Sequence, residues 1–321
     1  MRVAIIGASG VGKHHGKWFA LEGCEVAAFV GRTPETVKST EKAMRDLFGF
    51  SGRGYSDVAQ MIEREKPEAV SVCSPHHLHD QHTIAALRAG AHVLCEKPIF
   101  WDTSMTAEQM LSHARDMMDE AARAGRLLAV NTQYVAAILA YDEIYRQNWG
   151  DPRPIGSVSL RMESKGGISG PNEYDEIWID LASHPLSLLL RWLPGAEIVP
   201  GSIDCSIERH RVFARFRVRA AQSGEVPAEI LLQNIFEGSP VRRMGINGHA
   251  VDIGGGNDAN GVYRTFLKWD GRQVQCDDLV HTSIKRFIAA CAGRGEPLAA
   301  APEALHNLRL HLAILQQAKR C

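Results

Sequence analysis

The stretch Met1–Gly12 reads MRVAIIGASGVG, an apolar run that ends in a glycine-rich turn. The apolar run predicts a buried strand, and the residues that follow predict a helix. The turn fits the spacing G-x-S-x-x-G, in which a serine replaces the second glycine of the usual G-x-G-x-x-G. Because its backbone N–H groups lie at a helix N-terminus, we expect this turn to bind a pyrophosphate. The alternative is that it is a plain strand–helix connection. The residues expected to bind a dinucleotide here are Gly7, Ser9, Gly10, Val11 and Gly12.

Short apolar runs continue to alternate with helical patterns through the first 130 residues, which is typical of a parallel sheet covered by helices. We expect strands at Val3–Ile6, Val26–Val30, Ala69–Cys73, His92–Cys95 and Leu127–Val130. We expect helices at Gly12–Glu22, Pro34–Phe48, Tyr55–Glu65, Leu78–Ala89 and Thr103–Ala124. The sequence therefore predicts an α/β Rossmann domain over residues 1–130.

Two closely spaced prolines, Pro152 and Pro154, end this pattern, because they cannot both lie inside a helix. Beyond them, Arg211–Val218 alternates apolar residues with mostly arginines, as in a strand with one exposed face. Similar strands are expected at Ile155–Met162, Ile198–Asp204, Ala228–Phe236, Val241–Ile246 and Val262–Trp269, and helices at Val135–Asn148, Tyr174–Trp192, Asp277–Ala292 and Pro302–Ala318. Residues 131–321 are predicted to form an α+β domain with an open, mainly antiparallel sheet, whose C-terminal helix is free to pack back on the first domain.

The composition argues against several classes of protein. The 321 residues carry 36 Lys and Arg against 37 Asp and Glu, so no overall positive charge attracts nucleic acid. No apolar run is long enough for a signal sequence or a membrane span. Seven cysteines without a CxxC pair indicate reduced thiols. We therefore expect a cytoplasmic protein without a nucleic-acid or membrane partner.

The second expected strand ends at Val30-Gly31-Arg32-Thr33, without the Asp or Glu that would bind the ribose hydroxyls of NAD. Arg32 can form a charge-assisted pair with a 2′-phosphate, and Thr33 can add a hydroxyl. These residues favour NADP(H) over NAD(H). Two alternatives stay open, a solvated Arg32 and a nearby Glu35 that serves NAD.

Polar residues also follow the strand Ala69–Cys73. Ser74 and His79 are expected to line the cofactor crevice, because ligands of such folds bind at the carboxyl ends of the strands. The histidines at positions 76, 77, 79 and 82 invite a metal interpretation. No Cys, Asp or Glu series gives a recognised ligand spacing, so no metal is expected.

The next strand leads into Glu96-Lys97-Pro98, which presents a lysine at the same end of the sheet. A partly desolvated lysine can act as a general acid, although a single lysine is more often a surface residue. Glu96 and Lys97 are also expected among the cofactor contacts. In the expected helix Tyr174–Trp192, the i,i+4 spacing places Asp180 and His184 on one face, as a proton-moving pair or as a structural hydrogen bond.

Taken in order and spacing, the glycine turn, Cys73-Ser74-Pro75, Glu96-Lys97-Pro98 and Asp180…His184 resemble the Gfo/Idh/MocA family of glucose–fructose oxidoreductase, inositol dehydrogenase and relatives. The resemblance implies a pyridine nucleotide and a catalytic set of Lys97, Asp180 and His184. It also implies a second domain that binds substrate and forms dimers or tetramers through its sheet.

The chain departs from the family pattern at positions that concern the substrate. Ala182 replaces a common glycine, Ser187 replaces an aspartate, and Asn131–Tyr134 lacks a common arginine. The usual polyol-binding set is therefore incomplete, which puts inositol-type substrates in doubt and leaves room for less hydroxylated substrates or imines. Specificity is expected to lie in the loops Lys165–Glu176 and Gly254–Gly261.

The expected reaction is NADP(H)-dependent hydride transfer between nicotinamide and a carbonyl or alcohol carbon of a small, sugar-like substrate. Lys97 would donate or accept the proton, His184 would relay it, and Asp180 would orient His184 or a substrate hydroxyl. One alternative is an NADPH-dependent imine reductase. Another is a nucleotide-binding regulatory protein without turnover.

Overall fold

A computed structural model describes residues 1–166, 173–260 and 262–321. Contacts divide the chain into a first unit of Met1–Thr132 and Val280–Leu305, and a second unit of Gln133–Leu279 and His306–Cys321. The expected second domain, residues 131–321, therefore lacks Val280–Leu305, which belongs to the first unit. Among the described residues no helix has the length and apolar character needed to cross a membrane.

In the described part of the first unit, six parallel strands form one sheet: β1 (Arg2–Ile6), β2 (Glu25–Val30), β3 (Arg53–Tyr55), β4 (Ala69–Val72), β5 (His92–Glu96) and β6 (Leu128–Asn131). The strand order is β3-β2-β1-β4-β5-β6. The helices between them are α1 (Lys13–Leu21), α2 (Pro34–Phe48), α3 (Val58–Glu65), α4 (His79–Arg88) and α5 (Ala107–Ala124). This arrangement confirms the predicted Rossmann fold.

The short strand β3 was not predicted. Its residues Arg53-Gly54-Tyr55 have no apolar alternation, and the sequence assigned Tyr55 to a helix. Gly54 packs against Phe29 and Val37, so a side chain there would overlap them. Strand β3 therefore depends on close packing that single-sequence periodicity does not report.

The second unit contains one mixed sheet, which in its described residues consists of β7 (Val158–Lys165), β8 (Glu197–Ile198), β9 (Asp204–Glu208), β10 (Arg211–Ala220), β11 (Gly224–Ile235), β12 (Arg242–Ile246), β13 (His249–Asn257), β14 (Tyr263–Trp269), β15 (Arg272–Cys276) and β16 (Lys319–Arg320). The order is β15-β14-β13-β12-β7-β11-β10-β9-β16, and β8 pairs with β10. Most pairs are antiparallel, whereas β7–β11 and β9–β16 are parallel. The predicted open, mainly antiparallel sheet is confirmed.

Helices α6 (Ile138–Asn148), α7 (Glu173–Leu181) and α8 (Ser183–Trp192) belong to this unit. The sequence predicted one helix over Tyr174–Trp192, but the structure has two, which meet at Ala182. Pro185 is the third residue of α8, where its missing N–H costs no helical hydrogen bond.

The glycine-rich stretch Gly254–Gly261 was expected to be a specificity loop. Its residues Gly254–Asn257 instead lie in β13 and pair with β14. A Cβ at Gly255 would overlap the Tyr263 hydroxyl, so the glycine admits this ring against the strand. Gly261 lies outside the described residues, as do residues 167–172 of the other expected loop.

Two further helices precede β16: α9 (Leu279–Cys291) and α10 (Ala301–Gln316). Ile284 and Phe287 of α9 are fully buried in the core of the first unit, where Phe287 meets Phe19 of α1 edge to face. These buried side chains explain why Val280–Leu305 belongs to the first unit rather than to the second.

Candidate nucleotide and catalytic site

The glycine turn lies where the strand order of the first sheet reverses, between the carboxyl ends of β1 and β4. Gly7 has a φ of +88°, and a Cβ there would lie 2.7 Å from the Ser74 backbone nitrogen. A Cβ at Gly12 would lie 2.6 Å from the Gly7 carbonyl oxygen, whereas Gly10 has open space around it. Gly7 and Gly12 are therefore required by the backbone itself.

Ser9, Gly10 and Val11 are exposed in this turn, immediately before α1. Such a bare backbone at a helix N-terminus is the cradle that a pyrophosphate takes. The residues present thus fit a dinucleotide at the switch point of the sheet, which is where such folds bind it.

Three residues follow β2 at the place expected for the adenosine ribose. Arg32 is exposed, and so is Glu35. Thr33 caps α2, because its side chain accepts a hydrogen bond from the Thr36 backbone N–H. Hydrogen bonds from its own backbone and from Thr33 lower the pKa of Glu35. The Thr33 hydroxyl takes part in the helix cap, and Arg32 is an exposed cation next to it.

His15 of α1 is fully buried behind the glycine turn. Its Nδ1 lies 2.8 Å from the Ser71 hydroxyl of β4, and its Nε2 lies 3.0 Å from Glu96 Oε1 at the end of β5. Asn131, at the end of β6, donates from Nδ2 to the same carboxylate oxygen at 2.6 Å. The Cys73 sulfur lies 3.7 Å from His15 Nδ1. One buried polar network therefore joins α1 to three strand ends.

Burial alone would neutralise both members of the central pair. It lowers the pKa of His15, but Cys73 and Glu96 more than offset it and raise that pKa to about 10. Burial raises the pKa of Glu96, but His15, Lys97 and Asn131 lower it to about 2. These opposite pKa shifts favour an imidazolium–carboxylate ion pair between the two side chains.

Lys97 is half-buried and directly follows this anchored glutamate. On its other side, the Pro98 carbonyl lies 2.9 Å from Nδ1 of the buried His79. Nε2 of the same ring lies 2.8 Å from the Ser74 carbonyl. The backbone on both sides of Lys97 is therefore held by buried groups.

This arrangement alters the roles expected for His79 and Ser74. Both ring nitrogens of His79 face protein carbonyls, so the imidazole supports the loop, and its cofactor contact stays a prediction. Burial lowers the pKa of His79 and the two carbonyls oppose that effect. The Ser74 hydroxyl lies 2.9 Å from His82 Nδ1. Throughout the described residues, no group of three or more His, Cys, Asp or Glu side chains is placed to hold a metal ion.

The two other predicted catalytic residues lie in the second unit. Asp180 is exposed on α7, and His184 is buried on α8, so the structure gives the two side chains different environments. The His184 ring meets the buried Tyr134 ring edge to face, with 4.8 Å between centroids. Burial raises the pKa of Tyr134, and the Arg242 guanidinium opposes the shift through its charge and a hydrogen bond. His184 thus belongs to a polar cluster with Tyr134 and Arg242.

Several members of both clusters were not predicted from the sequence. His15 falls three residues after Gly12, a spacing that places it in the first turn of α1. The sequence singled out Asn131 only because the stretch Asn131–Tyr134 has no arginine. It placed Arg242 within the expected strand Val241–Ile246 and gave it no role in the site. Ser187, noted as an aspartate replacement, accepts a hydrogen bond from Asn307 Nδ2 at 2.8 Å. The spacing of His15 was the one local signal among these residues.

The fold and the glycine cradle define a dinucleotide-binding protein of the Rossmann class. The family model described as "Oxidoreductase family, NAD-binding Rossmann fold" (GFO_IDH_MocA) matches residues 1–132. Residues 1–132 therefore match the Gfo/Idh/MocA family that the sequence motifs predicted.

Curated relatives include D-glucoside 3-dehydrogenase of Escherichia coli, 36% identical over 43% of this chain and 36% of the relative. Inositol 2-dehydrogenase of Klebsiella pneumoniae is 30% identical over 60% of this chain and 54% of the relative. The chain therefore spans about a third to a half of these two relatives. UDP-N-acetylglucosamine 3-dehydrogenase from Acidithiobacillus ferrooxidans has the same fold, with a TM-score of 0.72 at 19% identity over 99% of this chain and 97% of that one.

Proposed function

We propose that the protein is an NAD(P)(H)-dependent dehydrogenase or reductase that prefers NADP(H). Its substrate would be a small, polar, sugar-like molecule with a reacting carbonyl or alcohol carbon. The observation that carries this proposal is the position of Lys97, fixed between Glu96 and Pro98 at the same strand ends as the glycine turn. The names of the relatives, a glucoside and an inositol dehydrogenase, support the substrate class.

The chain's own residues would divide the work of binding the cofactor. The backbone around Gly7, Gly10 and Gly12 would hold the pyrophosphate, and Arg32 would pair with a 2′-phosphate. When bound, the nicotinamide supplies or accepts a hydride. Ordered backbone on both sides of Lys97 restricts the positions that its ammonium can reach.

Lys97 would exchange a proton with the substrate oxygen, because an amine on an anchored backbone can serve as a general acid or base. We assign His184 the relay of this proton, as the family resemblance implies. Asp180 would orient His184 or a substrate hydroxyl. Tyr134 and Arg242 add hydrogen-bonding groups near His184, which suits a substrate with several oxygens.

The exposed face of the second unit's sheet would form dimers or tetramers of a cytoplasmic enzyme. Cross-strand ion pairs such as Arg215–Glu229, at 2.7 Å, lie on this face. Light scattering of the purified chain tests the assembly, and a monomer at micromolar concentration would contradict it.

Calorimetric titration with NADPH and NADH tests the cofactor preference. We expect NADPH to bind at least about tenfold more tightly, a difference of roughly 1.4 kcal/mol, and Arg32→Asp to abolish this preference. Arg45→Gln is the control, because Arg45 is an exposed arginine paired with Glu41 on α2. Equal affinities in the unaltered protein would contradict the NADP(H) assignment.

A substrate panel tests the reaction itself. We expect NADPH oxidation with sugar ketones, measured by the loss of absorbance. Turnover with cyclic imines alone would instead indicate an imine reductase. Tight NADPH binding without turnover on either class would indicate a regulatory protein.

A further inference from the structure

The buried pair of His15 and Glu96 is costly to form and is not needed to build a parallel sheet. Removing two charges from water costs several kcal/mol per ion, and this cost is offset only where the pair has good geometry and further hydrogen bonds. Here Ser71 and Asn131 supply those hydrogen bonds. The chain thus retains a buried, hydrogen-bonded ion pair next to Lys97.

The network connects two parts of the proposed site. His15 lies in the first turn of α1, the helix whose N-terminus carries the glycine cradle. Glu96 ends β5 and is bonded covalently to Lys97. The phosphate-binding helix and the lysine segment are therefore joined by the 3.0 Å contact between His15 Nε2 and Glu96 Oε1, with Asn131 bonded to the same carboxylate.

The charges in the network also act on Lys97. A lone Glu96 carboxylate would attract the neighbouring ammonium and favour its protonated form. The His15 imidazolium balances that carboxylate. The groups that face His15 are Ser71 and Cys73 from β4 and its end, Glu96 from β5, and Asn131 from β6.

We propose that His15 is a positioning residue for Lys97, which fixes the Glu96 side chain and balances its charge. This inference rests on the proposed function, since it assigns Lys97 the proton transfer. His15 touches neither the reacting atoms nor the substrate in this account. It links the phosphate-binding helix to the lysine that moves the proton.

Three variants test the proposal, His15→Gln, Glu96→Gln and the double variant, all assayed in the alcohol-oxidising direction against pH. Oxidation needs the neutral lysine, so its rate rises as Lys97 loses its proton. We expect His15→Gln to move this rise to higher pH by roughly one unit, and Glu96→Gln to move it to lower pH by a similar amount. The double variant, without either charge, should return close to the original midpoint.

The matched control is His281→Gln. His281 also pairs with a glutamate, Glu22, at 2.6 Å, but at the C-terminal end of α1. Its pH profile should coincide with that of the unaltered protein. The proposal would be overturned if both single variants moved the pH midpoint in the same direction, or if neither moved it. It would also be overturned if the midpoint of the double variant differed from the sum of the two opposite shifts.

A readout without turnover separates this inference from the proposed function. Nitrogen-15 NMR of the imidazoles in the nucleotide-free protein should show His15 protonated at pH 8, and neutral in Glu96→Gln if the fold is retained by circular dichroism. A neutral His15 at pH 8 in the unaltered protein would overturn the inference even if the enzyme is active. Conversely, a protonated His15 in a protein that binds no nucleotide would contradict the proposed function alone.

Discussion

The two ends of the parallel strands in the first unit differ in how they hold charge. At the amino ends, the Arg2 guanidinium, itself 35% exposed, pairs with Glu25, whose side chain is 63% exposed, and with Glu65, whose side chain is 7% exposed. At the carboxyl ends, the side chains of His15 and Glu96 are only 0% and 11% exposed. Exposed pairs contribute about 0–1 kcal/mol, whereas breaking a buried pair costs about 3–5 kcal/mol. Of the pairs compared, the one in which both partners are largely buried lies beside the proposed site.

Of the variants considered, Lys97→Ala, at the carboxyl ends of the strands, should have the largest effect. We expect turnover to fall by about 10²- to 10⁴-fold, because a positioned general acid or base contributes about this much. NADPH affinity should change only a few-fold, since the glycine cradle is intact. Stopped-flow absorbance measures the rate.

The control for this variant is Lys42→Ala, because Lys42 is an exposed lysine of the same unit. Its turnover should equal that of the unaltered protein. A Lys97→Ala protein with normal turnover would remove Lys97 from the chemistry.

His15→Gln should destabilise the protein by about 3 kcal/mol near pH 6. Folding raises the His15 pKa, so its contribution is fully present below the unfolded value of about 6.5 and is lost as the pH rises through about 10. Folding lowers the Glu96 pKa, so that contribution is lost as the pH falls from about 4.5 towards 2.

Urea unfolding of both proteins at several pH values measures this effect. The difference in the free energy of unfolding should shrink as the pH rises from 6.5 to 10. A difference that is independent of pH over this range would show that the ion pair is not what the substitution removes.

Gly7→Ala should cost more than about 2 kcal/mol, since it combines a left-handed φ with overlap against the Cys73–Ser74 backbone. Gly23→Ala is the matched control, because Gly23 has a φ of +76° with no neighbour within 4 Å. Its cost should be about 1–2 kcal/mol, from the φ angle alone. Thermal unfolding compares the two, and equal losses would show that the close approach at Gly7 is unimportant.

Glu25→Gln, at the amino ends, should give the smallest effect. We expect a change in unfolding free energy below about 1 kcal/mol, because the ion pair with Arg2 is solvated. Urea unfolding at low and high salt measures it. A loss near that of His15→Gln would remove the distinction between the two ends.

The second unit was less predictable than the first. Strand β10 alternates buried and exposed residues, and its period of two was legible in the sequence. In contrast, β13 carries three consecutive glycines and looked like a loop. One of them, Gly255, admits the Tyr263 ring of β14, and such a partner is visible only after the chain has folded.

The sequence by itself determined the Rossmann fold, the open second sheet, the family that residues 1–132 match, and the positions of the glycine turn and Lys97 along the chain. These features are local, since strand period, turn chemistry and motif spacing are written along the chain. Tertiary structure decided the rest. It placed His15, 81 positions before Glu96, against that carboxylate. In the folded chain both ring nitrogens of His79 face carbonyls, and α9 packs into the core of the first unit. These outcomes depend on burial and on contacts between distant segments, which no local pattern encodes.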